Sequence, residues 1–196
     1  MNCSHAVRQK SSIRQSGVAA VEFALIAIPL FLLLIGIMEV GRLMYVWNTV
    51  QEVTRNAARQ AVVTDFRDTA AVNAIRQRAL FRLTDGTLPA AAEVSTANVV
   101  IRYLNAAGEV PASMPESPSD NLSACQDAGR VSECVRYVEV CVSTGTTCAP
   151  NELIAFAPMS GLFSGTSREG ADFTLLRIPL SSMRMPAESL GFRPDL

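Results

Sequence analysis

Few of the 196 residues of this chain are equipped for catalysis. The single histidine is His5, so no Ser-His-Asp triad, Cys-His pair or HExxH zinc helix can be assembled farther along. GxSxG, Walker and GxGxxG loops are missing as well. Carboxylate-only chemistry such as glycoside hydrolysis remains open to 18 acids, but it needs a convergent geometry that no spacing here announces. Two sets of residues stand out by type and place. One is a lone carboxylate, Glu22, inside an otherwise apolar run; the other is the set Cys125, Cys134, Cys141 and Cys148.

Glu22 needs a cation. From Phe23 to Met38 (FALIAIPLFLLLIGIM) no residue is charged, and extension back to Val18 meets only Glu22. A carboxylate ionised in lipid without a partner costs a few kcal/mol and marks a functional site, unless it snorkels to the interface. A cut between Gly17 and Val18 would give Val18 a new ammonium group and make Glu22 residue five of the shortened chain. One helical turn then separates the charges, which can pair within one chain or between staggered neighbours.

The cysteines are spaced by 9, 7 and 7 positions with no CxxC and no histidine nearby, which points to disulfides rather than zinc. If 135–142 is a strand, Cys134 and Cys141 lie about 23 Å apart and cannot pair. Of the two remaining connectivities, Cys125 with Cys134 and Cys141 with Cys148 closes short loops that each contain a glycine, and it is preferred.

These residues need elements to hold them. The apolar run makes a helix of roughly 30 Å, the hydrocarbon thickness of a bilayer, with Phe23, Pro29 and Gly36 inside it. Arg8, Lys10 and Arg14 precede it with no acid among them, while Glu39 and Arg42 behind it nearly cancel. The positive-inside rule then keeps the N-terminus cytoplasmic and puts everything past about Gly41 outside. A cleaved secretory peptide fits poorly, because the run is long and no A-x-A-like site follows it; Cys3 precedes the run, so a lipoprotein signal fails too. The organisation expected is a leader at 1–17, a membrane helix at 18–41, its extension at 42–63 and a small outer domain at 64–196.

Leu43, Trp47, Val50, Thr54, Ala57 and Ala61 continue the helical period to about Val63, giving a helix of roughly 69 Å. Pro29 predicts a kink, and Tyr45 and Trp47 serve as headgroup anchors or packing residues. Asp68 caps a second helix over 71–83 that Gly86 would end. Val99–Leu104, Val135–Val142 and Phe173–Leu180 read as strands of a small antiparallel sheet, 111–118 as a loop, and Leu153–Met159 as a short helix, a core loop or a partner surface, with core filling the default. The fold expected is α+β, a lollipop of long N-terminal helix, second helix and small sheet.

The stretch RQSGVAAVEFAL (14–25) resembles the processing region of type IV pilin-like proteins, in which a prepilin peptidase cuts after Gly and a Glu stands at mature position five. More closely, residues 14 to 63 resemble the TadE-like minor pseudopilins of the tight-adherence (Flp) pilus, through Gly17, Glu22, Pro29, the Glu39-Val40-Gly41-Arg42 exit and the Asn-Ala-Ala-Arg segment at 56–59. A looser likeness lies in Leu153–Leu162 followed by a terminal strand with Met183-Arg184.

The resemblance implies that Gly17 ends the leader, Val18 begins the mature chain and Glu22 supports recognition or assembly. It further implies residence in a bacterial inner membrane, with the outer domain periplasmic or carried into the pilus. The partners implied are a prepilin peptidase, other pseudopilins or the major pilin, inner-membrane assembly proteins and membrane lipid. No cofactor, metal or nucleic acid is expected, since past its leader the chain is net acidic. The rival readings are an unprocessed single-pass envelope protein with an outer binding domain, and an anchored enzyme using carboxylates.

Overall fold

The computed structural model describes residues 16–161 and 175–192 of the chain. The fold is α+β, with a long apolar N-terminal helix, further helices and small antiparallel sheets. The chain divides into two units after Met38. Helix α1 runs Ser16–Ala61 and is unbroken through Pro29. Its first part, through Met38, is apolar on every side, long and apolar enough to cross a membrane.

From Glu39 onward α1 acquires a polar face. Glu52, Arg55 and Arg59 are exposed, while Leu43, Val46, Val50, Val53, Thr54, Ala57, Ala58 and Ala61 are buried. That buried face is wider than the narrow stripe read from the sequence, because Val46, Val53 and Ala58 add a second row; Trp47 packs at its edge, half-buried.

Helix α2 spans Thr69–Ala79, and its Asp68 cap accepts the Ala71 N–H at 2.9 Å. The helix ends before Leu83, earlier than the 71–83 reading. Phe81 takes a left-handed φ of 58°, its N–H bonds Arg78 O, and Arg82 N–H reaches back to Gln77 O. This pair of bonds satisfies the last carbonyls in the Schellman pattern with Phe in the place usually held by Gly, so the end does not wait for Gly86. Leu83 is left 90% exposed.

Strands β1 (Thr87–Leu88) and β2 (Ala91–Ser95) form a small pair. Strand β3 (Val99–Leu104) occupies the span expected of it, and Asn105–Gly108 turns behind it, with Gly108 at a φ of 83°. After the 111–117 loop comes a helix that the sequence reading lacked, α3 (Pro118–Gln126), capped by Ser117. Strand β4 (Tyr137–Val142) is followed by β5 (Ile154–Ala155), β6 (Arg177–Ile178) and β7 (Ser181–Pro186).

β4 is central in a β3-β4-β7 sheet, antiparallel on both sides, with Leu104 opposite Tyr137 and Val142 opposite Ser181. The third strand is therefore Ser181–Pro186 and not Phe173–Leu180. Of the latter, Phe173 and Thr174 lie outside the described residues, and Arg177–Ile178 pairs with β5 instead. Val138, Val140 and Val142 point into the core with Val46, Val50, Ile75, Leu80 and Phe156. Across β3, β4 and β7, Glu139 lies between Arg102 and Arg184 and bonds both, at 2.8 and 2.9 Å, a ladder of opposite charges in register.

Candidate assembly site

In the first unit, Val18, Val21, Phe23, Leu25, Phe31, Leu33 and Met38 are all exposed by about 60% or more. This much exposed apolar surface requires an apolar medium or a partner helix. Gly17 and Val18 stand at the start of α1, and a Cβ on Gly17 would meet no atom within 4 Å. Glu22 is exposed, and among the described residues nothing hydrogen-bonds or ion-pairs with it. Ala20 and Ala24 are exposed and Ala27 is half-exposed on the same stretch; Pro29 and Gly36 fall within it.

In the second unit, the charges that nearly cancelled on paper form a buried cluster. Glu39 is 5% exposed. The Arg42 guanidinium lies 3.6 Å from its carboxylate and 3.3 Å from that of Glu93, whose side chain is 7% exposed. Arg42 also donates to the carbonyls of Ala90 and Ala157, and its guanidinium sits 4.2 Å from the centre of the Phe156 ring. Glu39 accepts the Ser160 backbone N–H at 2.7 Å. A planar guanidinium satisfies several acceptors at once where a compact ammonium would not. Removal of either partner of such a group leaves an uncompensated charge. Sequence reasoning noted the exit motif but missed its ligands, which come from 51 and 115 residues away.

Tyr45 donates to Pro89 O at 3.2 Å and Trp47 packs on the core, so both act as packing residues of the second unit. The four cysteines pair as Cys125–Cys134 and Cys141–Cys148, with Cα separations of 4.9 and 5.8 Å. Each bridge is braced nearby. Asn121 exchanges both bonds with the Val135 backbone, and Arg130 forks onto Asp120, holding its carboxyl below the ordinary range. Glu152 takes bonds from the Thr147 hydroxyl, the Ala149 N–H and the Ser143 hydroxyl, which lower its pKa in the same way. A Cβ on Gly145 would overlap the Glu152 carboxylate, so a larger residue there would make that side chain shift.

Among the described residues no group of three or more His, Cys, Asp or Glu side chains could hold a metal. A groove of about 450 Å³ between α3 and the segment 186–192 has Glu188 as the one carboxylate among its lining residues, and so offers no acid pair.

The TadE-like protein family model matches residues 17–59. Over these residues the chain is similar to TadE-like proteins. No curated protein and no solved structure matches the chain.

Proposed function

We propose that this protein is a minor pseudopilin that helps initiate or assemble a tight-adherence pilus, after a prepilin peptidase cuts it between Gly17 and Val18. The observation that carries the reading is Glu22, a carboxylate without a partner among the described residues, on an exposed apolar helix matched by the TadE-like family model. In lipid such a group is stabilised by an opposite charge, and the ammonium of a newly formed Val18 terminus lies about 6 Å below it along the helix. Between staggered neighbours the same two groups set the axial register of one subunit against the next. Gly17 and Val18 are then substrate, Glu22 is the assembly carboxylate, and nothing in the chain is a catalyst.

The leader faces the cytoplasm, α1 spans the inner membrane, and the domain from 64 to 196 stands in the periplasm, where both disulfides form. Its partners are the peptidase, other pseudopilins or the major pilin, and the inner-membrane assembly proteins. The test is a pair of variants, Glu22→Ala and Glu22→Gln, scored for membrane insertion and for pilus output. Insertion stays normal, because a more apolar span inserts at least as well, while pilus output falls in both. Normal output from both variants contradicts the proposal.

A further inference from the structure

Helix α2 ends on a strained residue. Phe81 holds a left-handed φ of 58°, a conformation that glycine adopts freely and a bulky side chain does not. Such strain persists where something else requires the residue, and burial of the ring is not what requires it: Phe81 is 58% exposed and Leu83, two residues on, is 90% exposed. The surroundings of this apolar tip are cationic. Residues 76–85 hold Arg76, Arg78 and Arg82 against Asp85, whose carboxylate accepts from Gln77. Arg78 is exposed and, among the described residues, makes no ion pair.

A surface of matching chemistry lies on the same chain. The groove of about 450 Å³ between α3 and the segment 186–192 is lined by Pro118, Leu122, Tyr137 and Phe192, with Glu188 and Arg136 as its charges. Around it, residues 116–136 together with Glu188 hold five acids against Arg130 and Arg136, a net of −3. Asp120 and Glu133 are taken up by Arg130. Glu116, Asp127 and Glu188 make no ion pair among the described residues, so they are open to a cation from outside. An apolar tip among cations and an apolar groove among acids are complementary in shape and in sign. They do not meet within one chain. Arg82 shares a groove with Arg42, whereas the Glu188 and Leu190 N–H groups bond Val62 O, and Arg42 and Val62 are about 30 Å apart along the helix.

We propose that the Phe81–Leu83 tip of one copy docks in the α3 groove of a second copy of this chain, with Arg78 facing the groove's unpaired carboxylates. The two surfaces differ, so the contact is heterologous: each pair of copies leaves one tip and one groove unused, and further copies add head to tail. Only the second unit takes part, so neither cleavage after Gly17 nor passage of α1 through a membrane bears on it. Two apolar anchors make a small contact, and it forms in proportion to protein concentration.

The test is cross-linking between two differently labelled full-length chains in detergent, both carrying Cys3→Ser so that the four bridged cysteines are the only native ones left. One chain carries Thr84→Cys beside the tip, the other Ser189→Cys in the groove wall, and a short bis-maleimide joins them. The expected result is a covalent dimer from the mixture, several-fold more than from either chain alone, with a yield that falls at high salt. Phe81→Gly in the Thr84→Cys chain abolishes the dimer while the melting midpoint stays at or above the parent's, because glycine relieves the left-handed backbone. Arg78→Glu in the same chain lowers the yield, and Glu188→Arg in the other chain restores it.

No dimer from the mixture overturns the contact. Equal yields from the mixture and from either chain alone assign association to another surface, α1 included, and overturn it too. A dimer that survives Phe81→Gly shows that the tip is not the anchor. A midpoint lowered by Phe81→Gly shows that the ring serves its own fold, and overturns the proposal as well.

Discussion

The two parts of α1 are equally helical and solve the burial of apolar surface in opposite ways. Through Met38, valine, leucine and phenylalanine side chains are exposed on every side; from Leu43 to Ala61, valine and alanine side chains of the same helix are almost fully buried. What separates them is the placing of charge. The first part has Glu22 and then nothing charged until Glu39, so no face is left to turn to water. The second part sets Glu52, Arg55 and Arg59 on one side and gives the other to a domain built from more than a hundred later residues. Apolar character alone does not say what medium a helix is meant for; the distribution of its few charges does.

The contrast breaks most severely at Arg42, where the helix acquires its first buried charges. Arg42→Met strands Glu39 and Glu93 without a cation and is expected to cost the second unit about 3–5 kcal/mol. Adding Glu39→Gln and Glu93→Gln to that variant should recover much of the loss. Thermal unfolding in detergent measures both, and an unchanged midpoint for Arg42→Met alone would show the cluster to be idle. A milder test substitutes the same residue type in each part of α1. Val50→Ala removes two methyl groups from a fully buried site and should cost about 2 kcal/mol, while Val21→Ala should lie within about 0.5 kcal/mol of the parent.

The smallest effect is in the second unit alone, at Glu152. Hydrogen bonds hold its folded pKa below the ordinary 4.5. It therefore contributes stability that is fully present above that value and is lost as pH falls through the lowered one. Acid titration of the melting midpoint should show the parent losing more stability than Glu152→Gln below about pH 5. Parallel curves would show that the bonds from Thr147, Ala149 and Ser143 do not favour the ionised form.

How far the sequence discloses this molecule follows from how local each cause is. Val99–Leu104 is readable because β-branched residues and a following turn lie side by side. Asp68 is readable because a cap acts three residues away. The end of α2 is not, because Phe81 adopts a conformation that its side chain disfavours and only its surroundings impose. Helix α3 has a cap signal in Ser117-Pro118, yet it is short and depends on Cys134, Val135 and Arg130, which lie outside the helix, 9 to 14 residues from their partners in it. β7 reads as SSMRMP, mostly exposed, with no alternation to betray it; the more apolar Phe173–Leu180 drew the strand assignment instead.

Of the candidate site, Gly17, Val18 and Glu22 are proposed from a spacing within one helix turn, which a sequence displays directly. The Arg42 cluster was not, because its acceptors are assembled by the tertiary fold.

The central claim is that the charge-free part of α1 begins life behind a leader and is released from it. The direct measurement is the N-terminal sequence and intact mass of the protein purified from membranes, with and without its prepilin peptidase. A chain that starts at Val18 only when the peptidase is present is the predicted result. A chain that starts at Met1 or Asn2 in both preparations contradicts it.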